Sequence, residues 1–141
     1  MSMPGVRCLA VFSLCLLVSL SAHAAIPAGE RSALVAFYES TGGAAWTDRA
    51  GWLGAPGSEC TWRGVECNDA GAAVVAIILS DNNLNGVLPP ALGSISSLER
   101  LELAANQLSG PVPQELGALR ELHHLDLSVN ALSGALPPFI G

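Results

Sequence analysis

The chain has 141 residues, half of them apolar, with 13% charged and a formal net charge of −6. That length bounds it to one domain. Its six basic residues are all arginines and form no cluster, which argues against nucleic acid and anionic membrane surfaces as partners.

Met1 to Ala24 opens with a single Arg7, runs apolar from Cys8 to Leu20 and ends in Ala22-His23-Ala24. A basic start, an apolar stretch of about a dozen residues and an A-x-A site predict a secretory signal peptide over 1–24. The apolar run falls short of the roughly 20 residues a membrane span needs, so no span is expected. Cleavage after Ala24 leaves 117 residues with five arginines and twelve acids, net charge −7, in an extracellular or periplasmic setting. Cys8 and Cys15 leave with the leader. Cys60 and Cys67 stay in a chain that enters an oxidising compartment, where a disulfide is the expected state. Two Cys without clustered His do not make a zinc site. No phosphate loop, nucleophile elbow or other metal-ligand spacing occurs, so neither a cofactor nor an enzymatic activity is expected.

Residues 25–73 have the pattern of a cover. Pro27 can start a helix, and Ala33, Leu34, Phe37 and Tyr38 share one face of it through Ser40, where Gly42-Gly43 end it. Trp46 and Trp52 bring large apolar rings with polar N–H tips. Asn68-Asp69-Ala70-Gly71 reads as a turn into the next strand. Ring faces also stack on sugars, so Trp46, Trp52 and Trp62 admit a carbohydrate-binding reading. Their accessibility separates that reading from packing.

From Val74 onward the sequence repeats every 24 residues, as 74–97, 98–121 and an incomplete 122–141. Val74, Leu98 and Leu122 align, as do Ile77, Leu101 and Leu125, then Leu79, Leu103 and Leu127. Asn82, Asn106 and Asn130 follow, then Leu84, Leu108 and Leu132, Gly86, Gly110 and Gly134, and Pro89, Pro113 and Pro137. In a stacked array, one inward apolar set must recur at each turn. Leu101 and Leu103, two apart, share the inward face of a short strand, with Leu108, Val112, Leu116 and Leu119 completing that repeat's interior. The recurring Asn can bond backbone groups where the chain turns in, so Asn82, Asn106 and Asn130 predict a buried structural ladder.

These positions spell L-x-x-L-x-L-x-x-N-x-L, and Leu108–Pro113 and Leu132–Pro137 add L-S-G-x-x-P. The chain resembles the plant-type leucine-rich repeat proteins. Cys60-Thr61-Trp62-Arg63-Gly64-Val65-Glu66-Cys67 resembles the C-x-W-x-G-V-x-C element of their N-terminal cap. Ala33–Tyr38 and Thr41–Thr47 are similar to the version in secreted microbial members. The resemblance implies an α/β solenoid: a short right-handed superhelix with parallel strands on the concave face and a helical, disulfide-bonded cap over 25–73. It also implies a second, outer strand in the G-x-x-P segment. In function it implies a secreted, non-catalytic module that binds a protein through the concave face, in the style of receptor ectodomains and of secreted inhibitors of cell-wall hydrolases. An N-terminal fragment of a longer receptor and a carbohydrate-binding adhesion module are the alternatives.

By strand alternation, Ala76, Ile78 and Ser80 point outward in the first repeat, Arg100, Glu102 and Ala104 in the second, and His124, Asp126 and Ser128 in the third. Ile78, Ser80, Arg100, Glu102, His124, Asp126 and Ser128 form the candidate partner-binding set. Glu102 beside Asp126, with His124 one step away, is the one grouping with the elements of acid–base or metal chemistry. An open sheet lacks the concave pocket catalysis uses, so recognition is the expectation. His123 falls at a loop edge. Leu125, Leu127, Leu132, Leu136 and Ile140 have no following repeat to cover them, which predicts self-association through that end, or weak binding until a partner or further repeats extend the face.

Overall fold

Helix α1 spans Ala28–Ser40, in a computed structural model that describes residues 25–140. The leader expected over 1–24 lies outside the described residues. Pro27, with φ −57°, immediately precedes the helix, a place where the missing N–H costs nothing. The face carrying Ala33, Leu34, Phe37 and Tyr38 is buried. Thr41 donates its hydroxyl to the Phe37 carbonyl at 2.6 Å, and Gly42, at φ 66°, turns the chain out of the helix.

Two short 3-10 turns then lead to β1 (Val65–Cys67), which pairs antiparallel with β2 (Val74–Ile78), Val65 opposite Ile77. Between them Asn68 Oδ1 accepts the Ala72 N–H at 2.9 Å, in the turn the sequence placed at Asn68–Gly71. The strand itself was not expected. It adds an antiparallel member at the start of an otherwise parallel sheet.

That sheet continues with β4 (Arg100–Glu102) and β6 (His124–Asp126), in the order β1-β2-β4-β6. Ile77, Leu101 and Leu125 pair in register, one repeat apart. A second parallel sheet joins β3 (Asn85–Val87), β5 (Gln107–Gly110) and β7 (Ala131–Leu132). The outer strand expected in the G-x-x-P segment therefore lies mostly ahead of it, ending at Gly110 in the second repeat. Pro111 has no N–H to give a ladder, and the chain passes into 3-10 turns at Pro90–Ser94 and Gln114–Ala118.

The core lies between the two sheets. Leu84, Leu88, Leu92, Ile95, Leu98, Leu101, Leu103 and Leu108 are essentially inaccessible, and each such side chain contributes about 1.5–3 kcal/mol by leaving water. The aromatic cluster closes the first repeat. Trp52 stands 4.9 Å from both Trp46 and Trp62, between ring centroids, and 5.8 Å from Tyr38. All three indole N–H groups are satisfied, by Thr41 O, Arg63 O and Ser58 Oγ. Cys60 and Cys67 are disulfide-bonded, with Cα atoms 5.6 Å apart.

Two buried carboxylates fasten these parts. Glu30 accepts the Val74 N–H at 2.9 Å and the Ser97 hydroxyl at 3.3 Å, tying α1 to both ends of the first repeat. Glu59 accepts the Gly57 N–H and faces Arg31 Nη1 at 3.2 Å, an ion pair whose angle falls short of a hydrogen bond. Arg31 Nη2 donates to Gly54 O at 2.8 Å. At the junction of α1 with β3, a Cβ on Gly86 would stand 2.0 Å from Ser40 O, so only glycine fits there.

Candidate recognition face

The face rests on the asparagine ladder. Asn106 Oδ1 accepts the N–H groups of Asn82 (3.0 Å) and Leu84 (2.9 Å). Its amide N–H groups serve the carbonyls of Leu79, Leu103 and Ala104. Asn130 repeats the pattern with Leu108 N–H and the carbonyls of Leu103, Leu127 and Ser128. Asn82 reaches the same way along the chain, to the backbone N–H and carbonyl of Asp48. The loop before the repeats thus carries the ladder one rung further than the 24-residue period does. Asn82 and Asn106 are buried, and Asn130 is half-buried.

On the outer side of the strands, Ala76 and Arg100 pair in register with His124 beyond, and Ile78 and Glu102 with Asp126 beyond. Arg100, His124, Ser80 and Ser128 are exposed, and Ile78, Glu102, Ala104 and Asp126 are half-buried. Ala76 departs from expectation. It is 2% exposed, because its methyl sits between Glu66 of β1 and Arg100 of β4, two longer side chains that shade it.

The charges on this face are already engaged. Arg100 Nη2 is ion-paired with Glu102 Oε1, and His124 Nε2 stands 3.4 Å from the same oxygen. The hydrogen bond to Glu102, then the Glu102 charge, hold the Arg100 guanidinium above its usual value. Asp126 accepts the Ser128 hydroxyl at 2.6 Å and the Ser128 N–H at 3.0 Å. Those bonds, the hydroxyl first, hold its carboxyl below the usual range. Glu102 and Asp126 are neighbours in register, yet one turns to Arg100 and the other to Ser128. Among the described residues no group of three His, Cys, Asp or Glu is placed to hold a metal ion. The surface presents hydrogen-bonding and ionic groups on an open sheet, an arrangement for contact rather than for enclosing a reaction. His123 is exposed at the loop edge, its Nδ1 3.0 Å from Glu121 O.

The tryptophan alternative is overturned. Trp46, Trp52 and Trp62 are 4%, 8% and 1% exposed, their rings packed, mostly in tilted and edge-on contacts, among Phe37, Tyr38 and one another, so no face is open to a sugar. Sequence reasoning missed a groove of about 610 Å³ lined by the end of β3 and by the proline-rich segments that follow β3, β5 and β7. Its signal was present in the recurring prolines and in Val87, Val112 and Leu136 beside them. It also missed Glu30, which occupies the helical spacing of the buried face between Ile26 and Leu34.

Comparison with known proteins agrees with this architecture. Residues 73–132 match the family model described as leucine rich repeat. The LRR receptor-like serine/threonine-protein kinase ERECTA of Arabidopsis thaliana is 47% identical over 53 residues, 37% of this chain and 5% of that protein. The match lies within the repeats, so the kinase part of the relative has no counterpart in it. The BIR2 ectodomain from Arabidopsis thaliana superposes with a TM-score of 0.66 at 32% identity, covering 78% of this chain and 59% of that one. The Arabidopsis receptor kinase HAESA ectodomain, solved with an N-terminally extended IDA peptide hormone ligand, gives 0.61 at 28% identity, covering 76% and 18%. The chain spans about a twentieth of the curated receptor kinases that it matches. No helix among the described residues is long and apolar enough to cross a membrane. Residues 73–132 are leucine-rich repeats of the plant type.

Proposed function

We propose that the chain is an exported, non-catalytic recognition module that binds a protein or peptide through Ile78, Ser80, Arg100, Glu102, His124, Asp126 and Ser128. The observation that carries this reading is an open row of polar side chains on strands whose inward side is fixed by buried leucines and the asparagine ladder. Such pre-ordering lowers what association costs. The exposed Arg100–Glu102 pair contributes little to folding, so a partner can exchange it for its own contacts. The HAESA ectodomain, which carries a peptide in its structure, supports a peptide or protein partner. In this reading 1–24 is a leader, 25–73 a helical, disulfide-bonded cap, and 74–141 a right-handed superhelix of three repeats.

The test has two parts. Secreted protein should lack Met1–Ala24 by intact mass and should show no thiol that alkylates before reduction; a retained leader or free thiols would contradict export. A binder selected from a displayed peptide library should protect the strands in hydrogen exchange and lose about tenfold or more in affinity to Glu102→Ala with Asp126→Ala. That double variant should stay folded, with a denaturant midpoint only slightly below that of the parent. Unaltered affinity would sink the face.

A second reading, in which the module works as part of a longer array or a self-associated pair, draws on the third repeat. Leu125, Leu127 and Leu132 are half-buried there and Leu136 is 67% exposed. Sedimentation at several concentrations decides it for the isolated chain. Association that Leu136→Arg abolishes supports pairing, and a strict monomer removes it.

A further inference from the structure

We infer that the flank lined by the end of β3 and by the segments that follow β3, β5 and β7 carries a second binding groove, separate from the strand face. Its occupant is an extended peptide segment presenting one large aliphatic side chain beside a lysine or arginine. The groove measures about 610 Å³, within the roughly 300–1,000 Å³ that ligand sites occupy. Each repeat contributes one wall in the same way. Gly110 and Gly134 have φ of 72° and 79°. A Cβ on Gly110 would stand 3.4 Å from Val87, and one on Gly134 3.6 Å from Pro111, so each wall lies within ordinary contact distance of the one before it. Val87 and Leu136 line the groove while 44% and 67% exposed, two of the few large apolar side chains left in water among the described residues.

The lining restricts what fits. Its prolines have no N–H, so these positions offer no ladder for strand addition. Polyproline segments are read by stacking on aromatic walls, and no aromatic residue lines this groove. Three walls about 4.8 Å apart span about 10 Å, the width of one helix but the length of about three extended residues. Glu115 is the one charged residue in the lining, and none of the ion pairs among the described residues engages it. Around it the described chain carries five arginines against twelve acids. An apolar slot with a single uncommitted carboxylate selects an aliphatic group adjoining a cation and repels an acidic segment.

The probe is acetyl-Gly-Leu-Lys-Gly-amide, titrated into the protein while the methyl resonances of Val87, Val112, Leu136 and Ile78 are followed. Saturable shifts are expected at the first three and none at Ile78 on the strand face. The peptide with glutamate for lysine should bind at least about threefold more weakly, the size of an exposed ion pair. Glu115→Gln should erase that difference, and Leu136→Asp, at a side chain already in water, should erase the shifts. The inference is overturned by an absence of saturable shifts, by equal affinity for the two peptides, or by shifts confined to Ile78. It is overturned equally by shifts at Val87 and Leu136 on diluting the protein alone, which would assign the groove to a second copy.

Discussion

The second and third repeats share the residues that define the period and differ in what surrounds them. Leu101, Leu103 and Leu108 are 0% exposed, whereas Leu125, Leu127 and Leu132, 24 residues on, are half-buried. Val112 is 5% exposed and its counterpart Leu136 67%. A leucine here is a core residue only where a neighbour lies on each side, which is the nearest-neighbour character of a solenoid expressed residue by residue. The first repeat has such a neighbour in α1, β1 and the tryptophan cluster, none of which repeats.

That contrast can be broken at matched positions. The largest difference is expected between Leu101→Ala and Leu125→Ala. The former should cost about 2–5 kcal/mol, as for a fully enclosed leucine, and the latter distinctly less, read from denaturant midpoints. Next comes the ladder. Asn106→Ala strands the N–H groups of Asn82 and Leu84, at about 1–3 kcal/mol for each group left unpaired, while Asn130→Ala strands the Leu108 N–H at a half-buried site and should cost less. Val129 sharpens the comparison in the opposite direction. With φ 54° it occupies the left-handed region, as do Ala105 and Asp81 one and two repeats earlier, and it is 75% exposed. Val129→Asn should stabilise the chain by roughly 1 kcal/mol, since asparagine tolerates that backbone and valine does not. The smallest effect concerns Asp126. Its carboxyl is depressed in the fold, so its contribution is present above the ordinary carboxylate range and is lost as pH falls through the lowered folded value. Ser128→Ala should move the Asp126 titration upward by NMR and flatten that acid limb.

What could be read from the sequence was whatever recurs. The 24-residue period placed β2, β4 and β6, their register and the inward leucines, and strand alternation placed Arg100, Glu102, His124 and Asp126 on one side. Features formed once were hidden. β1 is three residues long, and its pairing with β2 depends on a turn whose strand side carries no alternation long enough to see. Glu30 reads as a polar interruption of a helix until Val74 and Ser97, 44 and 67 residues away, supply its donors. Ala76 alternates outward correctly and is buried anyway, because exposure depends on the length of the flanking side chains. The engagement of Glu102 with Arg100 and of Asp126 with Ser128 also follows from rotamers, which spacing does not encode.

Native-state hydrogen exchange tests most directly the claim that each repeat is rigid only through its neighbours. Leu79 N–H donates to Glu102 O at 2.9 Å and Leu103 N–H to Asp126 O at 2.8 Å, while among the described residues no strand follows β6 to receive the Leu127 N–H. Under dilute, monomeric conditions Leu79 and Leu103 should exchange only through global unfolding, and Leu127 should exchange orders of magnitude faster through local opening. Equal protection at Leu103 and Leu127 would contradict the account.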